Sequence, residues 1–131
     1  MTREEFISIP LTDLRIQLLQ QSIASLRITA TSLSAPLGGE RVQSSGTPDR
    51  VGRIVAEIAD AQVELEKEIV RLALLRLDAL YLIRSLPEPE RTIMQMRYII
   101  GKRWDRIAEE TNYTERNCYL IQRRAMRRMF G

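Results

Sequence analysis

The chain has 131 residues with one cysteine and no histidine, so it cannot form an intrachain disulfide, a Cys/His zinc site or a histidine-based catalytic triad. An enzyme is the class that this composition favours least, and we expect no cofactor and no metal. The net charge is +3, but residues 1–86 hold 10 basic and 11 acidic side chains (−1), whereas residues 87–131 hold 10 basic and 6 acidic ones (+4). A positive surplus confined to the C-terminal third favours a nucleic-acid partner more than the total charge does.

The first ten residues, MTREEFISIP, are charged and lack the apolar core of a signal peptide. No apolar run in the chain is long enough to span a bilayer, so we expect a cytoplasmic protein without a membrane partner. Residues 1–10 are expected to be an irregular lead-in. Pro10 would then lie in the first turn of a helix, where its missing N–H is not needed.

A first helix is predicted to run on to about Ser34. Its apolar residues are separated by three and four positions in alternation, which is the heptad pattern of helices that pack side by side. They are Ile16, Leu19, Ile23, Leu26, Ala30 and Leu33. A second apolar strip, formed by Leu11, Leu14 and Leu18, indicates that this helix contacts more than one neighbour.

Residues 35–50 combine proline, glycine and serine without periodicity and are predicted to form a flexible loop. Thr47 and Pro48 then supply an N-cap and a first helical residue. The second helix is predicted from about Pro48 to Ser85, and its apolar seam keeps the heptad spacing. The seam residues are Ile54, Ile58, Ala61, Leu65, Leu72, Leu75, Ala79 and Leu82.

Glu68 is the polar exception on this seam, explained either by a partner charge or by drift of the apolar stripe around a straight helix. At about 1.5 Å per residue the helix is roughly 50 Å long, more than a small core covers. We therefore expect it to fold back antiparallel on the first helix and to pack on a second copy of the chain, giving a homodimer. The fold class is thus all-α, with a coiled-coil-like hairpin for self-association over residues 1–86.

The C-terminal domain, residues 87–131, is predicted to contain three helices. Pro87 and Pro89 end the long helix, because proline disfavours helical geometry in the preceding residue. A supporting helix then runs to Gly101, and two short helices follow it. Their apolar residues recur at helical spacing on either side of a break at residues 111–113. The first has Trp104, Ile107 and Ala108, and the second has Cys118, Ile121, Ala125 and Met129.

The last helix combines an N-cap with a high positive charge. Thr114 is placed to accept a hydrogen bond from a backbone N–H of the first turn. From Arg116 to the end there are five arginines and no acid. A narrow apolar face with this much uncompensated positive charge is typical of a helix-turn-helix that enters the major groove of double-stranded DNA.

About 45 residues at the C-terminus resemble the fourth conserved region of bacterial sigma factors, in which a helix-turn-helix reads a promoter element. The resemblance is carried by Leu86-Pro87-x-x-Glu90-Arg91, Met94-x-Met96-Arg97-Tyr98, Gly101, Trp104-x-x-Ile107-Ala108, Tyr113-Thr114 and Ile121-x-x-Arg124-Ala125-Met126-x-x-Met129. The layout of a helical hairpin followed by this domain is similar to phage-encoded late-gene activators of the RinA and ArpU type. Two positions depart from the pattern: Arg103 replaces the usual serine or threonine cap, and Thr111 replaces an apolar residue.

The resemblance implies that Glu115, Arg116, Tyr119 and Leu120 face the bases. It places the later arginines near phosphates, namely Arg123, Arg124, Arg127 and Arg128. The periodicity agrees, because it assigns Cys118 and its helical neighbours to the inner face. An arginine can make a bidentate contact to guanine, and a glutamate can accept from a cytosine amino group. Tyr119 is ambiguous, since it can contact DNA or shield the helix stem.

We therefore expect a DNA-binding transcriptional regulator, an activator of phage or prophage genes in a bacterial host. Contact with the host RNA polymerase is implied by the resemblance alone. The alternative is a phage assembly protein such as a small terminase subunit, which would form a ring of subunits instead of a dimer. A third class is a coiled-coil adaptor without DNA affinity.

Overall fold

The computed structural model describes residues 1–34 and 47–131. In these ranges all regular structure is helical and there are no strands, which confirms the all-α class. The elements are α1 (Arg3–Ser34), α2 (Thr47–Arg84), α3 (Glu90–Met94), a π-helical segment (Gln95–Ile100), α4 (Trp104–Thr111) and α5 (Glu115–Phe130). Most of the predicted flexible loop lies outside the described residues. None of the helices described has both the length and the apolar character needed to cross a membrane.

The expected irregular lead-in is wrong, because α1 begins at Arg3 and Pro10 lies inside the helix. The Thr2 hydroxyl accepts a hydrogen bond from the Glu5 backbone N–H at 3.1 Å, as an N-cap does. Thr2 and Glu5 have the spacing of a capping box, which was a readable signal for this start. Phe6 is 0% exposed and Ile9 is 1% exposed, so apolar burial favours the first turns of α1 although Pro10 cannot donate a backbone hydrogen bond.

The described residues fall into two compact units. One unit contains residues Met1–Leu14 and Val70–Gly131, and the other contains Arg15–Ile69. The two units are separated by how densely their residues contact one another. The functional domain boundary expected at residue 86 stays a prediction.

In the second unit, Leu33 near the end of α1 and Ile54 near the start of α2 line the same pocket. The two helices therefore lie close together at this point, and the hairpin itself stays a prediction. Ile16 and Ile23 of the predicted seam are buried. Glu68 is half-buried, and its Oε2 atom has no hydrogen-bond partner among the residues described.

In the first unit, α1, α2 and the end of the π-helical segment meet at Gly101. The Arg76 Nη2 atom donates to the Asp13 carboxylate at 3.3 Å. Gly101 ends the π-helical segment in the left-handed region, with φ of 86°. A Cβ atom on Gly101 would lie 3.0 Å from Asp13 Oδ2 and 3.1 Å from Arg76 Nη2. The backbone angle at this position therefore favours glycine, and a Cβ atom would also require the ends of the Asp13 and Arg76 side chains to shift by a few tenths of an ångström.

Replacing Gly101 with alanine should lower the free energy of unfolding by about 2 kcal/mol, because the side chain is strained at positive φ and crowds the ion pair. Urea unfolding followed by circular dichroism measures this change. Gly52→Ala is the matched control, since Gly52 lies inside α2 with no atom within 4 Å of a new Cβ. The control should gain about 0.5–1 kcal/mol from helix propensity. Equal stabilities for the two variants would contradict the assignment.

Candidate nucleic-acid interface

Helices α4 and α5 form the predicted helix-turn-helix, joined by residues 112–114. Asn112 ends α4 in the left-handed conformation with φ of 61°. Thr114 is extended, and its hydroxyl accepts a hydrogen bond from the Asn117 backbone N–H at 3.1 Å. The predicted N-cap is confirmed. Arg103, which departs from the sigma-factor pattern at this position, provides no side-chain cap for α4.

The inner face of α5 packs where the periodicity placed it. Cys118 and Ile121 form one core cluster with Ile93 of α3 and Ile107 of α4, and all four are at most 1% exposed. Burial raises the pKa of the Cys118 thiol, which keeps it protonated and is in line with a packing role. The supporting helix therefore holds both helices of the pair in place.

The eight residues predicted to contact DNA are all exposed: Glu115, Arg116, Tyr119, Leu120, Arg123, Arg124, Arg127 and Arg128. They do not all lie on the same part of the surface. At about 100° per residue, Arg116, Leu120, Arg123 and Arg127 follow the side of α5 opposite Cys118. Leu120, Arg123 and Arg127 also line one surface depression together with Asn117 and Arg124. This side of the helix is called the outward face of α5 below.

Basic side chains before α5 in the C-terminal domain have acceptors nearby. The ion pairs are Arg91 with Glu88, Lys102 with Glu110, Arg103 with Asp105, and Arg106 with Glu109 and Glu110. The hydrogen bond from Lys102 lowers the pKa of Glu110. The Arg97 guanidinium donates to the Lys102 carbonyl at 3.1 Å.

The outward face of α5 differs in this respect. Arg116, Arg123, Arg124 and Arg127 make no ion pair within residues 1–34 and 47–131. The positive surplus of the domain is thus concentrated on one helix face.

Arg128 has an intramolecular partner. Its Nε atom lies 2.9 Å from Oε2 of Glu90 and donates a hydrogen bond to Oε1 at 3.2 Å. Glu90 is 4% exposed and is the first residue of α3, where a negative charge favours the helix start. This pair links α3 to the last turn of α5. The predicted phosphate contact of Arg128 would compete with it.

Tyr119 lies beside Trp104, with ring centroids 5.0 Å apart. The Arg97 guanidinium lies 5.1 Å from the ring centroid of the same tryptophan, within the distance of a cation–π interaction. Tyr119 therefore shields the stem of the helix pair. It is also 45% exposed, so a DNA contact through its free edge stays a prediction.

The acidic residues of the domain are largely engaged in the ion pairs described above. The described part of the chain contains no group of three or more Asp, Glu, Cys or His side chains placed to hold a metal ion. The Glu88 carboxylate accepts from the Thr92 hydroxyl at 2.6 Å, and this hydrogen bond lowers the pKa of Glu88. Local helix stabilisation accounts for its position.

The contribution of α1 to this domain was not predicted from the sequence. The Phe6 ring lies 4.3 Å from the Tyr98 ring and 5.6 Å from the Phe130 ring, measured between centroids. The Tyr98 hydroxyl accepts a hydrogen bond from Gln122 Nε2 at 2.5 Å, and burial raises its pKa. The first turns of α1 thus support α5 near its end. The capping-box signal at residues 2–5 and the helical spacing of Phe6 and Ile9 could have indicated the start of α1, but not its contact with α5.

Comparison with known proteins found no matching protein family, curated protein or solved structure. The likeness to sigma-factor region 4 therefore depends on the motifs quoted from the sequence.

Replacing Arg128 with alanine should lower the free energy of unfolding by about 1–3 kcal/mol, because the buried Glu90 carboxylate loses its partner. Thermal or urea unfolding measures the difference. Arg127→Ala is the control, since it removes the same charge from the neighbouring, exposed position that has no ion pair in the described residues. It should change stability by less than about 0.5 kcal/mol. A similar loss in both variants would remove the proposed role of the pair.

Proposed function

We propose that the chain is a sequence-specific double-stranded DNA-binding protein that regulates transcription, with α5 as its recognition helix. The observation that carries this proposal is a set of four arginines on or beside the outward face of α5 that make no ion pair with any described residue. The other basic residues of the domain have acceptors, so within the described part of the domain this concentration of cationic groups without ion pairs is specific to α5. An anionic polymer with regularly spaced phosphates is the partner that such a face fits.

The size of α5 agrees with this partner. It has 16 residues, which at about 1.5 Å per residue gives roughly 24 Å of helix. The major groove of B-DNA is about 12 Å wide and admits one α-helix with its side chains. The N-terminal end of a recognition helix usually contacts the base edges.

The residues divide along α5 accordingly. Arg116 and Leu120 lie near the start of the outward face and are proposed to contact bases. Glu115 and Tyr119 flank this position, as the resemblance to sigma region 4 implies. Three arginines further along are proposed to contact phosphates: Arg123, Arg124 and Arg127. Arg128 is proposed to contact phosphate only from the edge of the interface, because Glu90 holds its guanidinium.

The biological setting of the proposal comes from the resemblance. Phage-encoded late-gene activators combine a helical hairpin with a domain of this type, and we propose activation of phage or prophage genes in the cytoplasm of a bacterial host. Contact with the host RNA polymerase belongs to the same proposal. A homodimer formed through the hairpin would present two copies of α5 to two half-sites.

The test begins with selection of bound sequences from a random duplex pool, which supplies a target. Binding of Arg116→Ala and Arg127→Ala is then measured by fluorescence anisotropy over a range of salt concentrations. Arg116→Ala should weaken binding to the selected target by about 1–3 kcal/mol and relax the base preference of the protein. Arg127→Ala should weaken binding to all DNA sequences alike. It should also lower the slope of log affinity against log salt concentration by about one.

Arg53→Ala is the charge-matched control, because it removes an exposed arginine of α2 outside the proposed interface. It should leave both the affinity and the base preference nearly unchanged. Unaltered binding in the two α5 variants would exclude α5 as the recognition helix. Failure of the wild-type chain to enrich any sequence would exclude specific recognition.

A further inference from the structure

Helix α2 carries apolar residues on two opposite sides. Its inner side is buried through Leu72, Leu75, Ala79 and Ile83. Its other side exposes Val70 (59%), Leu74 (58%), Leu77 (49%) and Tyr81 (63%). At about 100° per residue these four side chains form one line, which we call the outer stripe of α2. Intramolecular packing accounts for the inner side. On the other side, the described residues place the Arg84 guanidinium 5.2 Å from the centroid of the Tyr81 ring.

The spacing of the residues in the outer stripe is the same when it is read in either chain direction. Its residues are separated by four, three and four positions, which are the core positions of a heptad pattern. When two copies of α2 run antiparallel, Val70 lies opposite Tyr81 of the second copy. Leu74 then lies opposite Leu77. All four residues are matched about one two-fold axis, as an isologous dimer requires.

The charges beside the stripe are also complementary in this arrangement. Arg71 and Asp78 each follow a stripe residue by one position, so they lie on the same edge of the stripe. Both are exposed, and neither makes an ion pair within the part of the chain that is described. Antiparallel pairing brings Arg71 of each copy to Asp78 of the other copy. The two-fold axis therefore produces two intermolecular ion pairs.

We infer that two copies of the chain associate through the outer stripe of α2, packed antiparallel and flanked by two Arg71–Asp78 pairs. This inference names the surface through which two copies of the recognition helix are brought together. The biological role of the dimer rests on the proposed function. The contact itself forms without DNA.

Helix α1 also exposes apolar residues opposite its buried side, but its charges do not fit. Ile7, Leu11 and Leu14 are 52%, 51% and 48% exposed. The residues on the matching edge are Ser8 and Arg15, which offer no opposite charges to a second copy of α1. Antiparallel pairing of this face with the outer stripe of α2 would bring Arg15 close to Arg71, a repulsive contact. The self-pairing of α2 is the arrangement in which apolar spacing and charge agree.

The area available predicts a weak dimer. A half-exposed side chain of leucine size presents on the order of 80 Å² of apolar surface, so the eight stripe residues of two copies offer roughly 600 Å². With the flanking residues the total stays at the small end of specific interfaces, below about 1,200 Å². We therefore expect dissociation in the micromolar range, with the dimer favoured when two half-sites lie close together.

The first experiment compares Leu74→Lys with Leu11→Lys in DNA-free protein by sedimentation equilibrium. Both variants place a cation on a similarly exposed apolar position of the same kind of stripe. Leu74→Lys should weaken dimerisation by about 100-fold or more, because the charge is buried between two copies. Leu11→Lys should match the wild type. A monomeric wild-type chain at about 100 μM, well above the expected micromolar range, or dissociation by Leu11→Lys instead, would overturn the inference.

The second experiment tests the geometry by charge exchange. Arg71→Asp should weaken dimerisation about tenfold, because it places two carboxylates opposite each other at both ends of the stripe. Asp78→Arg should do the same with two guanidinium groups. The double variant Arg71→Asp/Asp78→Arg should recover most of the wild-type affinity. A double variant no better than the single ones would refute the antiparallel register.

The failure of this inference can be separated from failure of the proposed function. Leu74→Lys should still bind a duplex containing one half-site, since α5 is untouched. If it does, while the wild type is a monomer, only the pairing is wrong. If the wild type is a dimer of the expected register but enriches no DNA sequence, the pairing stands and the DNA-binding proposal falls.

Discussion

Burial of one side of α5 determines which of its side chains remain free for a partner. Cys118 and Ile121 are enclosed by side chains from α3 and α4, so the helix has little freedom to rotate about its axis. That fixed rotation turns a set of arginines outward as a group. The helix cap at Thr114 fixes where the group begins, because it fixes the first turn. The charge pattern of the surface is therefore a consequence of apolar packing.

The distribution of ion pairs follows the same division. Acids in the C-terminal domain lie before Arg116, and they are close to the basic residues of α3 and α4 and of the turns beside them. The sequence beyond Arg116 contains no acid that could neutralise α5 locally. Among the described residues, Glu90 of α3 is the one acid that pairs with an arginine of α5, and that arginine is Arg128 at the edge of the outward face. The arrangement keeps the surplus charge on the middle of the helix face.

The local features of the site were predictable from the sequence, and the long-range ones were not. Periodicity and an N-cap are short-range signals, so the inner face of α5 and its first residue could be assigned before the structure was known. The partner of Arg128 lies 38 positions away, and no spacing rule points to it. The spacing of Phe6 and Ile9 is helical, but it does not identify the partners of Phe6, because its two aromatic neighbours come from the C-terminal third of the chain. The π-helical segment does not follow the 3.6-residue period. Its apolar residues therefore predicted a helix, but not its π-helical hydrogen-bond pattern.

The contact between Asp13 and Arg76 has a consequence for the alignment of the two long helices. A stripe of aliphatic residues tolerates a slip of one helical turn, because leucine and isoleucine replace each other with little cost. A slip of one turn along α1 would bring Ile9 or Gln17 to the Arg76 guanidinium in place of the Asp13 carboxylate. The Arg76 guanidinium, which lies beside Gly101, would then be half-buried without a counter-charge. This ion pair thus favours the observed alignment over the slipped ones.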